Sequence, residues 1–316
     1  MSAPVLYDAL VVGAGPAGLS TALTLARALQ NVVVFDSGVF RNQRASHMHT
    51  LPTWDHQNPS EFRAAARSEI LTRYKTVSFH SAALQSITKV EGGGFEAASE
   101  DGLRWRGRSV VLATGVKDVF PDIEGYDSCW VHGIFHCLFC HGYEERGAAS
   151  VGVLAIGEVA NVPPALHLAR AAKQLADKVT IYTGGSSELA SAVSAALKDS
   201  EKSTIVTDAR PIAKLVKEKE GTDVTIHFGD GSGSAREGFL VHRPKTELNG
   251  PFAQQLALEL TPGGDIQTTP PFGETSVPGV FAAGDCASAG KIVANALSTG
   301  AFSGAGVAAK LQASVL

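Results

Sequence analysis

Two cysteines separated by two residues, Cys137 and Cys140 in FHCLFCHGYEE, have the spacing of a redox-active pair. A C-x-x-C closes a disulfide within one short turn of chain, and a disulfide accepts electrons by thiol–disulfide exchange. Exchange needs a thiolate and a group that moves the proton of the departing thiol. His136 and His141 flank the pair, and histidine titrates near neutral pH. The spacing therefore predicts a redox site with a histidine as its acid–base group.

A zinc site and an inert buried pair are the alternatives for these two cysteines. A structural zinc ion needs two further ligands at regular spacing. Cys129 with His132 or His136 offers only an irregular set. We therefore favour redox chemistry over both alternatives.

The composition is typical of an ordinary α/β globular protein with one large or two medium domains. The chain has 316 residues, 44% of them hydrophobic, and 33 glycines. A net charge of -4 gives neither an electrostatic footprint for nucleic acid nor a basic stripe for an anionic membrane. No segment has the pattern of a signal peptide or a transmembrane helix. Since four cysteines are also too few for a disulfide scaffold, we expect a cytoplasmic protein.

A dinucleotide-binding fingerprint opens the chain. VLYDALVVGAGPAGLS predicts a strand ending at Val12, a glycine turn and a helix to about Leu29, and the next strand, VVVF, leads to an acid. The glycines allow a tight turn, close approach of a pyrophosphate and helix–strand packing, and the acid accepts ribose hydroxyls. The residues expected to bind the dinucleotide are Gly13, Ala14, Gly15, Pro16, Ala17, Gly18 and Asp36.

Two later segments complete the same site. SVVLATGVKD predicts an apolar strand that ends in a turn, and GVFAAGD predicts a strand that delivers an acid to a helical N-terminus. The three segments in this order resemble the thioredoxin reductase-like flavoproteins over nearly the whole chain, which implies FAD as the cofactor. The further residues that we expect at the cofactor are Arg41, His49, Ala113, Gly115, Gly284, Asp285 and, through their backbone N–H groups, Ile292 and Val293.

The resemblance implies an α/β fold with two Rossmann-like dinucleotide-binding domains, the second inserted in the first. We expect the FAD-binding domain at residues 1–118 and 245–316, and the inserted domain, which carries the C-x-x-C, at residues 119–244. The resemblance also implies a homodimer.

The inserted domain keeps the pattern of a Rossmann unit but not its glycines. SVGVLAIGEVANVPPALHLARAAKQLADKVTIYTGG has the order strand, turn, helix, strand, yet Gly157 is the only glycine at the turn and Glu158 follows it. Side chains would stand where a pyrophosphate needs bare backbone, and a carboxylate repels phosphate. The second strand ends in YTGG, without the arginines that read a 2′-phosphate. We favour a turn that does not bind NADPH; a divergent site with weak binding is the alternative.

The residues around the cysteines resemble a narrower branch of the family. Thioredoxin reductases typically have an aspartate after the second cysteine, whereas this chain has His141. CLFCHGYE, without an intact NADPH fingerprint, resembles dithiol oxidases that close disulfides in sulfur-containing natural products such as gliotoxin-type epidithiodiketopiperazines and holomycin. That resemblance implies attack of a substrate thiol on Cys137, electron transfer from Cys140 to FAD, and O2 as the final acceptor with release of H2O2.

Two other functions remain open. One is a thioredoxin-type disulfide reductase fed by NADPH or by another donor such as ferredoxin. The other is a flavin-bearing protein that binds a dithiol without turnover.

Three histidines, His47, His49 and His56, also suggest a metal site. We expect no metal there, because no carboxylate or cysteine of suitable spacing completes the set. Cys129 and Cys286 are expected to be structural.

Overall fold

The computed structural model describes residues 5–313. The chain forms two compact units, one from Met1–Lys117 with Glu247–Leu316 and one from Asp118–Thr246. The domain limits expected from the sequence, 118/119 and 244/245, lie beside these borders. The outer ends of the expected FAD-binding domain, residues 1–4 and 314–316, lie outside the described residues.

The first unit is built on a mostly parallel sheet. Its strands are β1 (Leu6–Val12), β2 (Val32–Phe35), β3 (Val77–His80), β4 (Leu84–Lys89), β5 (Phe95–Ser99), β6 (Arg104–Leu112) and β17 (Val280–Ala282). Its helices are α1 (Pro16–Arg27), α2 (Pro59–Arg73), α6 (Phe252–Gln255) and α7 (Val293–Ala313). The strand order is β3-β2-β1-β6-β5-β4, and β17 also pairs with β6. Two further strands, β7 (Val116–Val119) and β16 (Lys245–Leu248), pair with each other where the chain passes between the units.

The parallel strands of this sheet end in register. Val12 pairs with Phe35 on one side and Leu112 on the other, and Leu112 pairs with Ala282. The runs LVV and VVVF are buried on both faces, which is the pattern of a parallel sheet covered by helices. The segments that follow these four residues therefore meet at one edge of the sheet.

Helices α1 and α7 cover one face of this sheet in close contact. The Thr21 hydroxyl donates to the Gly300 carbonyl at 2.9 Å, and a Cβ at Gly300 would lie 2.2 Å from the Ala17 carbonyl oxygen. Helix α1 ends at Arg27, before the expected Leu29, because Leu29 has a left-handed backbone with φ 59°. A left-handed residue stops helical hydrogen bonding.

The second unit is a smaller Rossmann-type unit with an added antiparallel sheet. Its parallel strands are β8 (Ile134–Phe135), β9 (Ala148–Leu154), β10 (Ala176–Tyr182), β11 (Ile205–Asp208) and β15 (Leu240–Val241), in the order β11-β10-β9-β15-β8. The antiparallel strands are β12 (Ile212–Lys217), β13 (Val224–Phe228) and β14 (Ser234–Glu237). The helices are α3 (Tyr126–Cys129), α4 (Val162–Ala172) and α5 (Ser187–Ala196).

The expected fold class is confirmed, since the chain is α/β with two Rossmann-type units. The strand–turn–helix–strand pattern of the insert appears as β9, α4 and β10, and the charged turn VKEKEGTD joins the antiparallel strands β12 and β13. Among residues 5–313, no helix combines the length and the apolar character needed to cross a membrane.

Candidate functional site: a dinucleotide cradle and a disulfide turn

Three glycines shape the turn between β1 and α1. Gly13 has φ 109°, and a Cβ there would lie 2.3 Å from the Ala113 carbonyl oxygen. A Cβ at Gly18 would lie 1.9 Å from the Gly13 carbonyl oxygen, so both positions exclude any larger residue. Gly15 differs, because a Cβ there would meet no atom within 4 Å. Packing therefore requires Gly13 and Gly18, whereas only an added group would require Gly15 to lack a side chain.

The N-terminus of α1 faces this open space. Gly15 is the N-cap residue, Pro16 is the first helical residue, and no side chain among the described residues caps the helix. N–H groups and positive potential at an uncapped helix start attract a phosphate. The turn, with Ala14 and Ala17 as its small neighbours, therefore fits the pyrophosphate of a dinucleotide.

Asp36 follows β2 at the same edge and is largely buried. Its Oδ2 accepts from Arg67 Nη1 at 3.1 Å, and its Oδ1 accepts from the Gly38 N–H at 2.9 Å. Each carboxylate oxygen accepts more than one hydrogen bond, so Asp36 keeps capacity for ribose hydroxyls. Arg67 was not singled out from the sequence, because its position 31 residues away on α2 gives no local signal.

Two other expected residues, Arg41 and Asp285, form an ion pair across the first unit. Arg41 Nη1 lies 3.1 Å from Asp285 Oδ2, with side-chain exposures of 16% and 19%. Gly284 precedes Asp285 with φ 76°, and its N–H donates to Thr299 Oγ1 of α7 at 2.9 Å. The structure thus connects the segment after β2 to the segment after β17.

The segment after β6 lies at this edge as well. The Ala113 N–H donates to the Val12 carbonyl at 2.9 Å, and Gly115 has φ 66°. The Asn249 side chain donates to the Thr114 carbonyl at 3.0 Å and fixes the turn. Asn249 is a support that the sequence did not reveal.

The two backbone donors expected at the start of α7 differ in their present partners. The Ile292 N–H donates to the Gly290 carbonyl at 3.0 Å, so this amide is engaged within its own loop. Val293 is the first residue of α7, where an N–H has no partner within its helix. Of the two, Val293 fits the expected role better.

The histidine segment contains a carboxylate that the sequence argument did not consider. His49 Nδ1 lies 3.5 Å from Asp55 Oδ1. The His47 and His56 rings stack at 4.3 Å between centroids, and the His49 and His56 rings lie 5.2 Å apart. The three histidines are therefore neighbours, and His49, the expected cofactor residue, is the least exposed of them.

In the second unit, Cys137 and Cys140 form a disulfide directly after β8. Their Cα atoms are 5.2 Å apart. The N–H groups of Cys140 and His141 both donate to the Cys137 carbonyl, at 3.1 and 3.0 Å, which closes one helix-like turn. Both cysteines are partly exposed, whereas Phe139 between them is 79% exposed. The disulfide turn therefore lies partly at the protein surface, with Phe139 as its most exposed side chain.

Each histidine beside the cysteines stacks on a buried aromatic ring. His136 lies on Trp130 with centroids 5.4 Å apart, and His141 lies on Phe135 at 5.5 Å, each with an interplanar angle of 23°. Trp130 and Phe135 are 3% and 4% exposed. Stacking on rigid rings limits the orientations of both imidazoles. The sequence predicted the histidines but not the rings that hold them.

The turn after β9 is open like that of the first unit, since a Cβ at Gly157 would meet no atom of the described residues within 4 Å, but its charges differ. Gly157 begins a short 3-10 turn, Glu158 is exposed, and no side chain among the described residues caps α4. Arg210 reaches this end of the sheet after β11, but its Nε donates to both oxygens of Asp208 at 3.0 Å. The guanidinium lowers the pKa of Asp208 by hydrogen bonding, so the pair stays ionised and its charges cancel. This edge offers a phosphate little net positive charge.

His242 is a buried residue of this unit that sequence reasoning missed. Its backbone N–H donates to the Phe135 carbonyl at 3.1 Å. In the ring, Nε2 lies 3.3 Å from the Ile156 carbonyl oxygen, and Nδ1 lies 2.7 Å from the Tyr126 hydroxyl. Burial lowers the pKa of His242 to about 4, so the ring is neutral at pH 7. His242 therefore joins the strand that leads to the disulfide to the turn after β9.

Comparison with known proteins agrees with this architecture. The family model described as pyridine nucleotide-disulphide oxidoreductase matches residues 7–300. The thioredoxin reductase aclD of Aspergillus oryzae is 48% identical over 98% of this chain and 98% of its own length. The thioredoxin reductase sirT of Leptosphaeria maculans is 46% identical over 96% of this chain and 94% of its own.

Two solved structures cover nearly the whole chain. An oxidoreductase from Agrobacterium tumefaciens aligns with a TM-score of 0.84 and 30% identity, over 98% of this chain and 99% of that one. The crystal structure of HlmI aligns with a TM-score of 0.84 and 28% identity, over 96% of this chain and 92% of that one.

Proposed function

Because the chain belongs to the pyridine nucleotide-disulphide oxidoreductase family, we propose that it oxidises a small-molecule dithiol to an intramolecular disulfide through Cys137 and Cys140, with O2 as the final acceptor. The protein is a flavin-dependent oxidoreductase of the thioredoxin reductase type. The direction of the reaction, the dithiol and the oxygen step are proposed.

FAD is the cofactor. The residues that would hold it are those at the carboxyl edge of the first sheet, with Gly15 at the pyrophosphate, Asp36 at a ribose, and Asp285 and Val293 from the C-terminal segment. Bound FAD supplies a two-electron acceptor that is reoxidised by O2.

The contrast between the two Rossmann turns carries the proposal. Both turns are open and lead into helices that no described side chain caps, but only the turn at Gly157 presents Glu158 and is flanked by an arginine that Asp208 neutralises. An enzyme without an NADPH site beside its redox disulfide needs another electron source, and a thiol substrate can supply the electrons through the disulfide itself. Electrons then flow from the substrate inward.

The residues of the disulfide turn perform the exchange. A substrate thiolate attacks Sγ of Cys137, the Cys137–Cys140 bond breaks, and Cys140 leaves as a thiolate. The second substrate thiolate then attacks the mixed disulfide, so the product ring closes and Cys137 leaves. His141 takes the protons of the incoming thiols and returns them to the departing sulfurs. Two electrons and two protons pass from the dithiol to the enzyme. Their transfer to O2 then gives H2O2.

We place the substrate among sulfur-containing natural products of the epidithiodiketopiperazine kind, in biosynthesis or in self-protection. The resemblance of CLFCHGYE to that oxidase branch supports this choice. The exposed Phe139 and Tyr143 beside the disulfide suit an apolar ring. We further propose a homodimer that acts in the cytoplasm, where the buried thiols of Cys129 and Cys286 stay reduced.

The test follows flavin absorbance in the purified holoprotein without oxygen. One cuvette receives NADPH and another receives a small cyclic dithiol, and air is then admitted. The expected result is bleaching by the dithiol alone, followed by return of the yellow colour and release of one H2O2 per dithiol. Rapid bleaching by NADPH would refute the proposed direction of electron flow.

Cysteine variants separate catalysis from binding. Cys137→Ser/Cys140→Ser should abolish bleaching by the dithiol while the dithiol still binds, as measured by calorimetry. Cys129→Ala is the matched control, since it removes a buried thiol of the same unit that takes no part in the disulfide. Full bleaching in the double variant would mean that the dithiol reacts with the flavin directly.

A thioredoxin-disulfide reductase is the second candidate, favoured by the names of the relatives. It predicts reduction of a protein disulfide with NADPH or another donor. The NADPH cuvette and an assay with oxidised thioredoxin decide between the two directions.

A further inference from the structure

We propose that Lys291 and Asp265 form a positioning pair for FAD. The pair would fix the loop before α7 so that the start of this helix points into the cofactor site. This inference rests on FAD as the cofactor and not on the proposed dithiol or on O2.

The ion pair is largely shielded from solvent. Lys291 Nζ lies 2.7 Å from Asp265 Oδ1, and the two side chains are 14% and 13% exposed. Removing two charges from water costs free energy that their attraction does not reliably repay, so a buried pair is weak evidence for stability. A role in setting geometry is the better explanation for such a pair.

The lysine ties down a loop that has no regular structure. Lys291 Nζ also donates to the Ser288 carbonyl at 2.7 Å. Ser288 Oγ accepts from the Gly290 N–H at 3.1 Å and from Asn295 Nδ2 at 2.9 Å. The loop therefore leads into α7 with one conformation, held by the ammonium group at its centre.

The chain next to Asp265 is hydrogen-bonded to the segment that carries Asp285. The next residue, Ile266, donates its N–H to the Cys286 carbonyl at 2.8 Å, directly after Asp285. Lys291 and Asp265 thus set the spacing between the Asp285 segment and the start of α7.

The start of α7 lies beside the cradle of the first unit. A Cβ at Gly284 would lie 2.9 Å from the Ala17 Cβ and 3.7 Å from the Ala296 Cβ, one turn into α7. Two helical N-termini, those of α1 and α7, therefore meet near the open turn at Gly15. The first N–H of α7, at Val293, brings positive potential that favours the electron-rich, reduced form of a bound flavin.

The experiment replaces the pair by apolar residues of similar size, Lys291→Met/Asp265→Leu, which avoids an unpaired buried charge. Lys310→Met/Glu274→Gln is the matched control, an ion pair at the other end of α7 with exposures of 40% and 34%. For each protein, three quantities are measured: the dissociation constant of FAD from fluorescence, the flavin midpoint potential by dye equilibration, and the urea midpoint of the apoprotein.

The expected result for the Lys291/Asp265 variant is FAD binding weakened about tenfold, which is about 1.4 kcal/mol, and a lower midpoint potential. The control should match the wild type in both. A changed urea midpoint with unchanged FAD affinity and potential would overturn the proposal, because it would assign the pair to stability alone. Lys291→Arg keeps a cation opposite Asp265, so this variant should retain more FAD affinity than the Lys291→Met/Asp265→Leu variant.

Discussion

Gly15 and Gly18 lie three residues apart in one turn, yet replacing each by alanine should impair a different property of the protein. A Cβ at Gly18 would lie 1.9 Å from the Gly13 carbonyl oxygen and 2.9 Å from its carbon. These are backbone atoms, so the helix has to move away from the strand. A Cβ at Gly15 would meet nothing within 4 Å, and its φ of -74° suits alanine. We therefore expect Gly18→Ala to impair folding and Gly15→Ala to impair FAD binding.

The magnitudes follow from these contacts. Overpacking against backbone costs about 3 kcal/mol or more, so Gly18→Ala should remove a large part of the folding free energy of the first unit. Gly15→Ala loses a little as an N-cap and gains about 0.4–1 kcal/mol from the less flexible unfolded chain, so its net effect should stay within about 0.5 kcal/mol. In the holoprotein, the same methyl group would stand in the space that the turn leaves open for a bound pyrophosphate. FAD affinity should fall at least about tenfold, or about 1.4 kcal/mol.

Urea unfolding of the apoproteins and fluorescence titration with FAD measure the two effects separately. Gly15→Ala should unfold like the wild type and bind FAD weakly. If Gly15→Ala binds FAD with unchanged affinity, the pyrophosphate does not lie at this turn. If Gly18→Ala is as stable as the wild type, the close contact with Gly13 does not constrain the turn.

Three further predictions concern other parts of the molecule. Burial lowers the pKa of His242 from 6.5 to about 4, so between these pH values the unfolded state binds more protons than the folded state. The free energy of unfolding should therefore rise with pH across this window, by up to about 1.4 kcal/mol per pH unit, and then level off. His242→Gln should reduce this slope in urea titrations, and an unchanged slope would contradict the assignment. Phe139→Ala, at a side chain 79% exposed, should change stability by less than about 0.5 kcal/mol but raise KM for an apolar dithiol, and an unchanged KM would rule out contact with substrate. Gly300→Ala should cost about 3 kcal/mol by calorimetry because its Cβ would lie 2.2 Å from the Ala17 carbonyl oxygen, whereas Gly263→Ala, with no neighbour within 3.5 Å, should be neutral.

The first Rossmann turn could be predicted from the sequence because its signals are local. Strand, glycines and helix are contiguous from Leu6 to Arg27, and the acid follows the next strand. The α/β class followed from similarly short patterns, whereas the degenerate NADPH site at Gly157 stays a prediction.

The partners of these residues could not be predicted, because they are distant in sequence. Arg41 reaches Asp285, 244 residues away, and His242 reaches Tyr126, 116 residues away. Nothing in the local sequence of Phe135 indicates that its ring will support His141. Such contacts depend on strand order, which residue spacing alone does not specify.

The contact between α1 and α7 also bears on the order in which the chain is made. Asp118–Thr246 forms one continuous stretch, so the whole second unit emerges from the ribosome before any of α7 has been synthesised. The first unit, in contrast, needs both early and late segments, and α1 exposes Ala17 and Thr21 until Gly300 arrives. Domains fold as units during synthesis. A nascent chain ending before Val293 would therefore have its disulfide turn complete while its FAD site still lacked helix α7. Binding of FAD would be among the last events of its biogenesis.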